Sequence, residues 1–290
     1  MKISELFAKK IPTLSFEVFP PKTDDTFDSV KYATEEIAKI KPDFMSVTYG
    51  AGGGTSKHTL AIAQNLKNKY NVTPLAHLTC VSSTKEMIKN QLKLLSESGI
   101  ENILALRGDI PQGVDSLKFD YKYASDLIKE IKNFGDFCVG GACYPEGHVE
   151  SENQKKDIET LKIKVDVGCE FLTTQMFFDN NILYNFLYKI REAGITVPIV
   201  AGIMPVTNGK QIERICRLSG TYLPQRFKSI VDKFGNYPDA MKQAGIAYAT
   251  EQVTDLLANG VNNIHIYSMN KPDVAEKIKN NLSDILAVRN

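Results

Sequence analysis

The sequence lacks tryptophan, any long apolar run and any excess of one charge. Its 35 Lys and Arg residues nearly balance its 34 Asp and Glu residues, and no basic block stands out. A nucleic-acid partner is therefore disfavoured, because phosphate backbones are bound by concentrated positive charge. No stretch reaches the ~18 apolar residues of a membrane span, and the first residues lack a signal-peptide core. We expect a cytoplasmic protein with no membrane partner.

Cysteine is also scarce, and its arrangement is uninformative as a motif. The five cysteines are odd in number and form no C-x-x-C pair. Buried, unreactive thiols in a reducing compartment are favoured over a disulfide framework or a zinc site. The four histidines show no H-x-x-x-H or H-x-E spacing, so the sequence predicts no metal site.

Short apolar runs recur eight times, separated by segments with helical periodicity. The predicted strands are Leu14–Phe19, Phe44–Tyr49, Pro74–Val81, Asn102–Leu106, Phe137–Cys143, Phe171–Phe177, Val197–Ile203 and Asn263–Tyr267. Eight strands alternating with helices predict one (β/α)₈ TIM barrel domain over residues 1–290. The long interval between strands seven and eight predicts additional helices, one of them over Asp239–Leu257.

The ends of the predicted helices support this alternation. Gly99, Gly168, Gly194 and Gly260 each precede an apolar residue and the next strand, which is typical of a left-handed glycine that ends a helix. Gly135 is a looser fifth example. Ser83 followed by Glu86 predicts a capping box at the start of one helix.

An open Rossmann-like sheet is the alternative architecture. Its best support is the glycine-rich segment at residues 50–55, which follows a predicted strand. The dinucleotide fingerprint needs a third glycine where this chain has Thr55. A glycine-rich turn with Thr55 as a helix N-cap explains the segment without phosphates, so the barrel is favoured.

Glu17 stands inside an apolar run that ends in two prolines, residues 14–21. A buried carboxylate costs free energy unless it is paired or protonated. Glu17 is therefore either a satisfied structural residue or a site carboxyl with a raised pKa. The second interpretation makes it a candidate general acid.

In a barrel, functional groups gather at the carboxyl ends of the strands. Those ends hold Glu17, Thr48, Tyr49, His77, Thr79, Arg107, Gly108, Asp109, Tyr144, Gln175, Gly202, Met204 and Tyr267. Each has a structural explanation by itself; His77, for example, could be a hydrogen-bonded core histidine. Their joint placement predicts a small-molecule site at one mouth of the barrel.

The residue types limit the chemistry. Two carboxyl groups, Glu17 and Asp109, would allow glycoside hydrolysis, but no tryptophan is present to stack on a sugar. Arg107 beside Asp109 would hold that acid ionised, unless the two form only a surface ion pair. An ionised Asp109 suits a developing cation, and a desolvated Glu17 suits proton donation.

A second basic segment follows predicted strand five. Lysines on the helix after this strand could meet a pyrophosphate or simply form a solvated helix face. They are Lys155, Lys156, Lys162 and Lys164, of which the first two are expected to be solvated.

These segments together resemble the methylenetetrahydrofolate reductase family. The matching stretches are Ser15–Lys22, Val47–Gly53, the third strand with His77, Leu106–Asp109, Tyr144–Glu146 with His148, Thr174–Asp179, Gly202–Val206 and His265–Asn270. They keep the family's order and cover nearly the whole chain. The length is similar to the compact bacterial members, which lack the regulatory domain of larger relatives.

The resemblance implies FAD in a barrel, with NADH or NADPH and the folate using the flavin in turn, in a ping-pong reaction that serves methionine biosynthesis. Hydride passes through flavin N5 to the one-carbon unit of 5,10-methylenetetrahydrofolate. Glu17 would protonate folate N10, Asp109 would favour the resulting cation, and Gln175 would contact both folate and nicotinamide. Family members are usually homo-oligomers.

The resemblance also implies binding residues. The FAD contacts would be Thr48, Tyr49, Ala51, His77, Arg107, Gly108, Asp109, Ala124, Tyr144, His148, Ser151, Asp157, Thr160 and Lys164. Folate contacts would be Asp109, Gln175, Gln211 and Lys271.

Five positions depart from the family pattern. Ser151 and Thr160 stand where other members carry alanine and asparagine, and Ile163 replaces a basic flavin contact. Lys271 stands where arginine is common, and Ile215 where a phenylalanine can stack on ligands.

Two other classes of function stay open. The chain could be a barrel that binds flavin or folate without turnover, or a hydrolase or lyase that uses Glu17 and Asp109 without a cofactor. The sequence does not distinguish NADH from NADPH.

Overall fold

The computed structural model describes residues 1–21, 26–49, 56–81, 83–110 and 120–288. In these ranges, eight parallel strands form a closed barrel in sequence order. The strands are β1 (Thr13–Val18), β2 (Phe44–Val47), β3 (Thr73–Thr79), β4 (Asn102–Leu106), β5 (Cys138–Cys143), β6 (Phe171–Thr174), β7 (Ile199–Ile203) and β8 (Asn263–Tyr267). Glu17 on β1 pairs with Tyr267 on β8, which closes the ring. The predicted barrel is confirmed, and the open sheet is wrong.

The strands form because their residues are apolar on both faces. Almost every strand residue is buried, as expected for parallel strands covered by helices on one side and by the barrel interior on the other. The predicted bounds of β4 and β8 agree with the structure. Predicted strands two and six are too long, because Tyr49 and Phe177 belong to the loops that follow.

Twelve helices are present in the same ranges. They are α1 (Ile3–Phe7), α2 (Phe27–Lys39), α3 (Ser56–Tyr70), α4 (Lys85–Glu97), α5 (Ala124–Phe134), α6 (Gln154–Asp166), α7 (Asn180–Glu192), α8 (Gly209–Ser219), α9 (Gln225–Phe234), α10 (Pro238–Ala258), α11 (Pro272–Asn281) and α12 (Ser283–Ala287). Three of them, α8 to α10, lie between β7 and β8, as predicted. None has the length and apolarity that crossing a bilayer requires.

The helix ends test the predicted terminating glycines and the predicted capping box. Gly99, Gly168, Gly194 and Gly260 all have positive φ, between 64° and 112°, as predicted. Gly135 has a φ of −178°, so the fifth example is wrong: α5 ends in extended backbone. The predicted capping box at Ser83 is also wrong, because the side chain of Thr84 accepts the hydrogen bond from the Met87 amide. The glycine-rich segment 50–55 lies outside the described residues.

The barrel is closed at the amino ends of its strands by α1. Phe7 packs edge-on against Phe44 and Phe171, with ring centroids 6.1 Å and 5.4 Å away. The Ile3 amide donates to Asn102 Oδ1 at 2.8 Å, at the first residue of β4. This floor leaves the carboxyl ends of the strands as the open mouth.

Candidate active site

A cavity of about 710 Å³ opens at the carboxyl ends of the strands. Every strand, or the loop directly after it, contributes to its wall. Residues from the eight strand ends include Glu17, Thr48, Tyr49, His77, Thr79, Arg107, Asp109, Tyr144, Gln175, Met204 and Tyr267. The volume lies in the upper part of the range for ligand pockets.

The cavity wall contains most of the residues that the sequence analysis assigns to a site. They are Glu17, Thr48, Tyr49, His77, Arg107, Gly108, Asp109, Ala124, Tyr144, His148, Ser151, Asp157, Thr160, Lys164 and Gln175. Ala51 lies outside the described residues. Gln211 and Lys271 are not in the wall: Gln211 is exposed on the first turn of α8, and Lys271 Nζ donates to Thr207 Oγ1 at 2.5 Å.

Glu17 projects from β1 into this cavity, with 21% of its side chain exposed. Burial raises its pKa from 4.5 to about 7, and Ser46 Oγ lies 3.5 Å from Glu17 Oε2. Its nearest basic group is His77, whose Nε2 is 3.6 Å from Glu17 Oε2. Burial lowers the pKa of His77 to about 3, so this imidazole is neutral at neutral pH. The histidine therefore does not hold Glu17 ionised.

Arg107 is engaged by a residue that sequence reasoning missed. Its two terminal nitrogens donate to the two carboxylate oxygens of Glu150, at 2.6 Å and 2.8 Å. This pair raises the pKa of Arg107 and lowers that of Glu150. The guanidinium fork that we expected to face Asp109 is thus directed to the loop after β5. No sequence signal identifies this pair, because its members are 43 positions apart.

Lys164 lies on the cavity side of α6. Its Nζ donates to the Ala142 carbonyl at 2.9 Å, and burial lowers its pKa. Lys156 and Lys162 instead form exposed ion pairs with Glu159 and Asp166 on the same helix. Lys164 is therefore the buried cation of this helix, whereas Lys156, which also borders the cavity, and Lys162 are solvated.

His148 and Asp157 form the neighbouring wall. The His148 amide donates to Asp157 Oδ2 at 3.3 Å, and the His148 ring meets Tyr144 edge-on at 4.6 Å. The amide of Glu150 donates to His148 Nδ1 at 3.1 Å, which leaves Nε2 as the protonated nitrogen of the neutral ring. These contacts fix the loop that carries Glu150.

Two buried polar atoms in the wall have no hydrogen-bond partner among the described residues. They are His77 Nε2 and Thr79 Oγ1. Buried polar groups in native proteins are nearly always paired. A polar ligand in this cavity would give both atoms a hydrogen-bond partner.

A polar layer below Glu17 was also missed by sequence reasoning. It consists of Ser15, Ser46 and His265, all buried. All three had a signal, because they lie two residues before the site residues Glu17, Thr48 and Tyr267, and alternate strand residues share a face.

The sequence matches the profile of the methylenetetrahydrofolate reductase family over residues 2–283. The chain belongs to this family. It is 35% identical to 5,10-methylenetetrahydrofolate reductase of Pectobacterium carotovorum, over 91% of this chain and 88% of that protein. It is 33% identical to the Escherichia coli protein of the same name, with the same coverage.

Longer relatives share only the part that this chain covers. The chain is 35% identical to Methylenetetrahydrofolate reductase (NADH) 1 of Arabidopsis thaliana, over 97% of its own length but 50% of that protein. The fold also resembles that of a Clostridium thermocellum protein described as binding two copies of 5-methyl-5,6,7,8-tetrahydrofolic acid, with a TM-score of 0.63. The two are 16% identical and each is fully covered, so this similarity concerns the fold alone.

Family membership makes the chain an oxidoreductase of folate one-carbon metabolism. The expected family and enzyme class are confirmed. The roles of individual side chains are not, and they are argued below from the geometry.

Proposed function

We propose that the protein reduces 5,10-methylenetetrahydrofolate to 5-methyltetrahydrofolate with NAD(P)H, in a ping-pong reaction through FAD. The observation that carries the proposal is Glu17, a cavity carboxyl whose pKa is raised to about 7. Binding alone has no use for such a group, whereas opening the five-membered ring of the folate requires a proton donor. About half of the Glu17 side chains would carry that proton near pH 7.

The residues of the cavity fit FAD. Arg107 and Lys164 place two cations on one side of the cavity, where a diphosphate can bind. His77 Nε2 and Thr79 Oγ1 provide buried polar atoms that need a partner. The residues proposed to hold FAD are Thr48, Tyr49, Ala51, His77, Arg107, Gly108, Asp109, Ala124, Tyr144, His148, Ser151, Asp157, Thr160 and Lys164. Bound FAD supplies the hydride carrier between nicotinamide and folate.

Three side chains would act on the folate. Glu17 donates its proton to N10, the bond from N10 to the one-carbon unit breaks, and the positive charge remains on the carbon bound to N5. Asp109 in the same wall favours that charge, and the incoming hydride converts the carbon to a methyl group. Gln175 Oε1 accepts from the Met176 amide at 3.0 Å, and because Gln175 lines the cavity, its NH₂ group would donate to the bound folate.

The folate tail would lie toward Gln211 and Lys271, outside the cavity wall. Lys271 provides a single ammonium rather than a guanidinium fork, so it can neutralise a carboxylate but not bind it in bidentate fashion. The relatives named for NADH favour NADH as the hydride donor.

The test separates the two half-reactions. The protein is reconstituted with FAD, reduced anaerobically by NADH while the flavin absorbance is followed, and then mixed with 5,10-methylenetetrahydrofolate. Bleaching followed by reoxidation is expected. A protein that binds no flavin, or whose reduced flavin the folate does not reoxidise, would refute the proposal.

The same assay tests the proton donor. Glu17→Gln should change flavin reduction by less than about twofold and slow reoxidation by the folate by about 10² or more, the usual size of a general-acid contribution. Glu159→Gln, an exposed carboxyl on α6, is the matched control and should change neither step. Equal slowing of both steps by Glu17→Gln would assign Glu17 to flavin binding instead.

A further inference from the structure

The polar layer below Glu17 is a continuous chain of hydrogen bonds across three strands. Ser15 Oγ lies 2.9 Å from the Ile264 carbonyl oxygen and 2.7 Å from His265 Nδ1. His265 Nε2 lies 3.1 Å from Ser46 Oγ, which lies 3.5 Å from Glu17 Oε2. Ser15, Ser46 and His265 are all buried, so their hydrogen-bond partners must come from the barrel interior.

The direction of this chain follows from counting hydrogens. A carbonyl oxygen only accepts, so the hydroxyl of Ser15 donates to Ile264. That hydroxyl has no second hydrogen, and His265 must donate to it from Nδ1. Burial lowers the pKa of His265 to about 3, so the ring is neutral and its Nε2 carries no hydrogen. Nε2 is therefore an acceptor.

Ser46 completes the chain toward Glu17. Its single hydrogen can go to His265 Nε2 at 3.1 Å or to Glu17 Oε2 at 3.5 Å. The shorter bond satisfies a buried nitrogen that has no other partner in the chain, whereas Glu17 faces the cavity and can bind water or ligand. Ser46 then presents only lone pairs to Glu17, and a contact between them needs a hydrogen on the carboxyl group.

We propose that Ser15, His265 and Ser46 form a directional hydrogen-bond chain that orients Glu17 and favours its protonated form. The three are positioning residues, since only Glu17 meets the substrate. The significance for catalysis rests on the proposed function, in which Glu17 is the acid. The direction of the chain does not depend on it.

Burial raises the pKa of Glu17, and the hydrogen-bond chain acts in the same direction. His265 is held in plane by stacking on Phe44, with centroids 5.8 Å apart, and by the edge-on ring of Tyr267. The titratable groups nearest Glu17 and the hydrogen-bond chain are His77 on β3 and His265 and Tyr267 on β8. Asp109 and Tyr144 line the same cavity, and Cys143 on β5 interacts with Tyr267. The two histidines are neutral at neutral pH, and burial raises the pKa values of Tyr267, Cys143 and Tyr144.

The decisive variant is Ser15→Ala, because Ser15 does not touch the Glu17 carboxyl. Without its acceptor, the Nδ1 hydrogen of His265 moves to Nε2, which then donates to Ser46. The Ser46 hydrogen is released to Glu17 and favours the carboxylate. The pKa of Glu17 should fall by about one unit, a tenfold change in its protonation equilibrium. His265→Phe, which also releases the Ser46 hydrogen, should lower it in the same direction.

The measurement is a ¹³C NMR titration of protein labelled at the glutamate carboxyl carbons, with the Glu17 signal assigned by its loss in Glu17→Gln. The matched control is Thr13→Val, on the same strand and face, since Thr13 donates to Asn263 and not to the chain. Its Glu17 should titrate as in the unsubstituted protein. An unchanged or raised pKa in Ser15→Ala would overturn the proposal.

A second measurement needs no variant. ¹⁵N NMR of labelled histidine reports which ring nitrogen carries the hydrogen, and His265 should be protonated at Nδ1. Protonation at Nε2 would overturn the proposal even if Ser15→Ala did not fold. Both NMR measurements are made on flavin-free protein without folate. Failure of the reductase assay and failure of the proposed hydrogen-bond chain are therefore separate results.

Discussion

At the scale of single residues, the carboxyl group of Glu17 couples the site to the stability of the fold. Its pKa is about 7 in the folded protein, against an ordinary value of 4.5. The folded state therefore holds a proton that the unfolded state has already lost between these pH values. Stability must fall as pH rises through this window, because ionising a buried carboxyl costs free energy.

Glu17→Gln removes this dependence. Near pH 4.5 the variant and the unsubstituted protein should be similarly stable, and above pH 7 the variant should be more stable by up to about 3 kcal/mol. Urea unfolding at pH 4.5, 6 and 8 would measure the difference. A difference that does not change with pH would contradict the raised pKa.

Glu150 poses a different question at the same scale, because it occupies the Arg107 fork that a diphosphate would use. Glu150→Gln should tighten FAD binding by about threefold or more, since an exposed ion pair contributes only ~0.2–1 kcal/mol and a negative charge near the phosphates is removed. Quenching of flavin fluorescence on binding gives the Kd.

The control for this prediction is Glu152→Gln. Glu152 lines the same cavity but forms no ion pair with Arg107. It should change the Kd less than Glu150→Gln does. Weaker FAD binding by Glu150→Gln would show instead that Glu150 positions Arg107 for the cofactor.

At the scale of elements, the helix ends show how far local signals reach. Four glycines before apolar residues adopt the predicted left-handed backbone, because a glycine after a helix is the residue that does so without strain. Gly135 also follows a helix, but it precedes Asp136 rather than an apolar residue, and its conformation is different. There α5 ends in an extended residue, and Lys132 Nζ donates to the Phe137 carbonyl beyond it.

This contrast gives a matched pair of variants. Gly260 has a φ of +81° and open space where a Cβ would be, so Gly260→Ala should destabilise the protein by about 1–2 kcal/mol through backbone strain alone. Gly135→Ala adopts an allowed φ and meets only ordinary contacts with Phe137, so its effect should be within ~0.5 kcal/mol. Thermal unfolding of both variants measures this difference, and equal destabilisation would contradict the argument.

At the scale of the whole molecule, the barrel separates stability from chemistry along its axis. The floor at the amino ends is apolar and is closed by α1, while the mouth carries the titratable side chains. Phe7 lies in this floor between Phe44 and Phe171, at the opposite end from Glu17.

Phe7→Ala should destabilise the protein by about 3–4 kcal/mol, because it leaves a cavity among buried aromatic rings. The kcat of folate reduction should stay within about twofold below the unfolding transition. Tyr32→Ala, an aromatic residue that is 65% exposed, is the control and should change stability by less than ~0.5 kcal/mol. A large loss of kcat in folded Phe7→Ala would show that the floor and the mouth are coupled.

The sequence by itself determined what depends on near neighbours in the chain. The alternation of strands and helices, the helices between β7 and β8, and the apolar setting of Glu17 follow from periodicity and turn residues, which act over a few positions. Closure was also predictable, because eight such units satisfy the geometry of a barrel.

The tertiary structure decided which side chains pair with one another. Arg107 meets Glu150 across 43 positions, and His265 reaches Ser15 and Ser46 only because β8 closes onto β1. Gln211 and Lys271 likewise fall outside the cavity wall because of where α8 and the start of α11 are placed. Periodicity fixes which face a residue occupies, but barrel closure and strand register decide which side chains meet on that face. The environment that sets the protonation of Glu17 is therefore a property of the closed barrel.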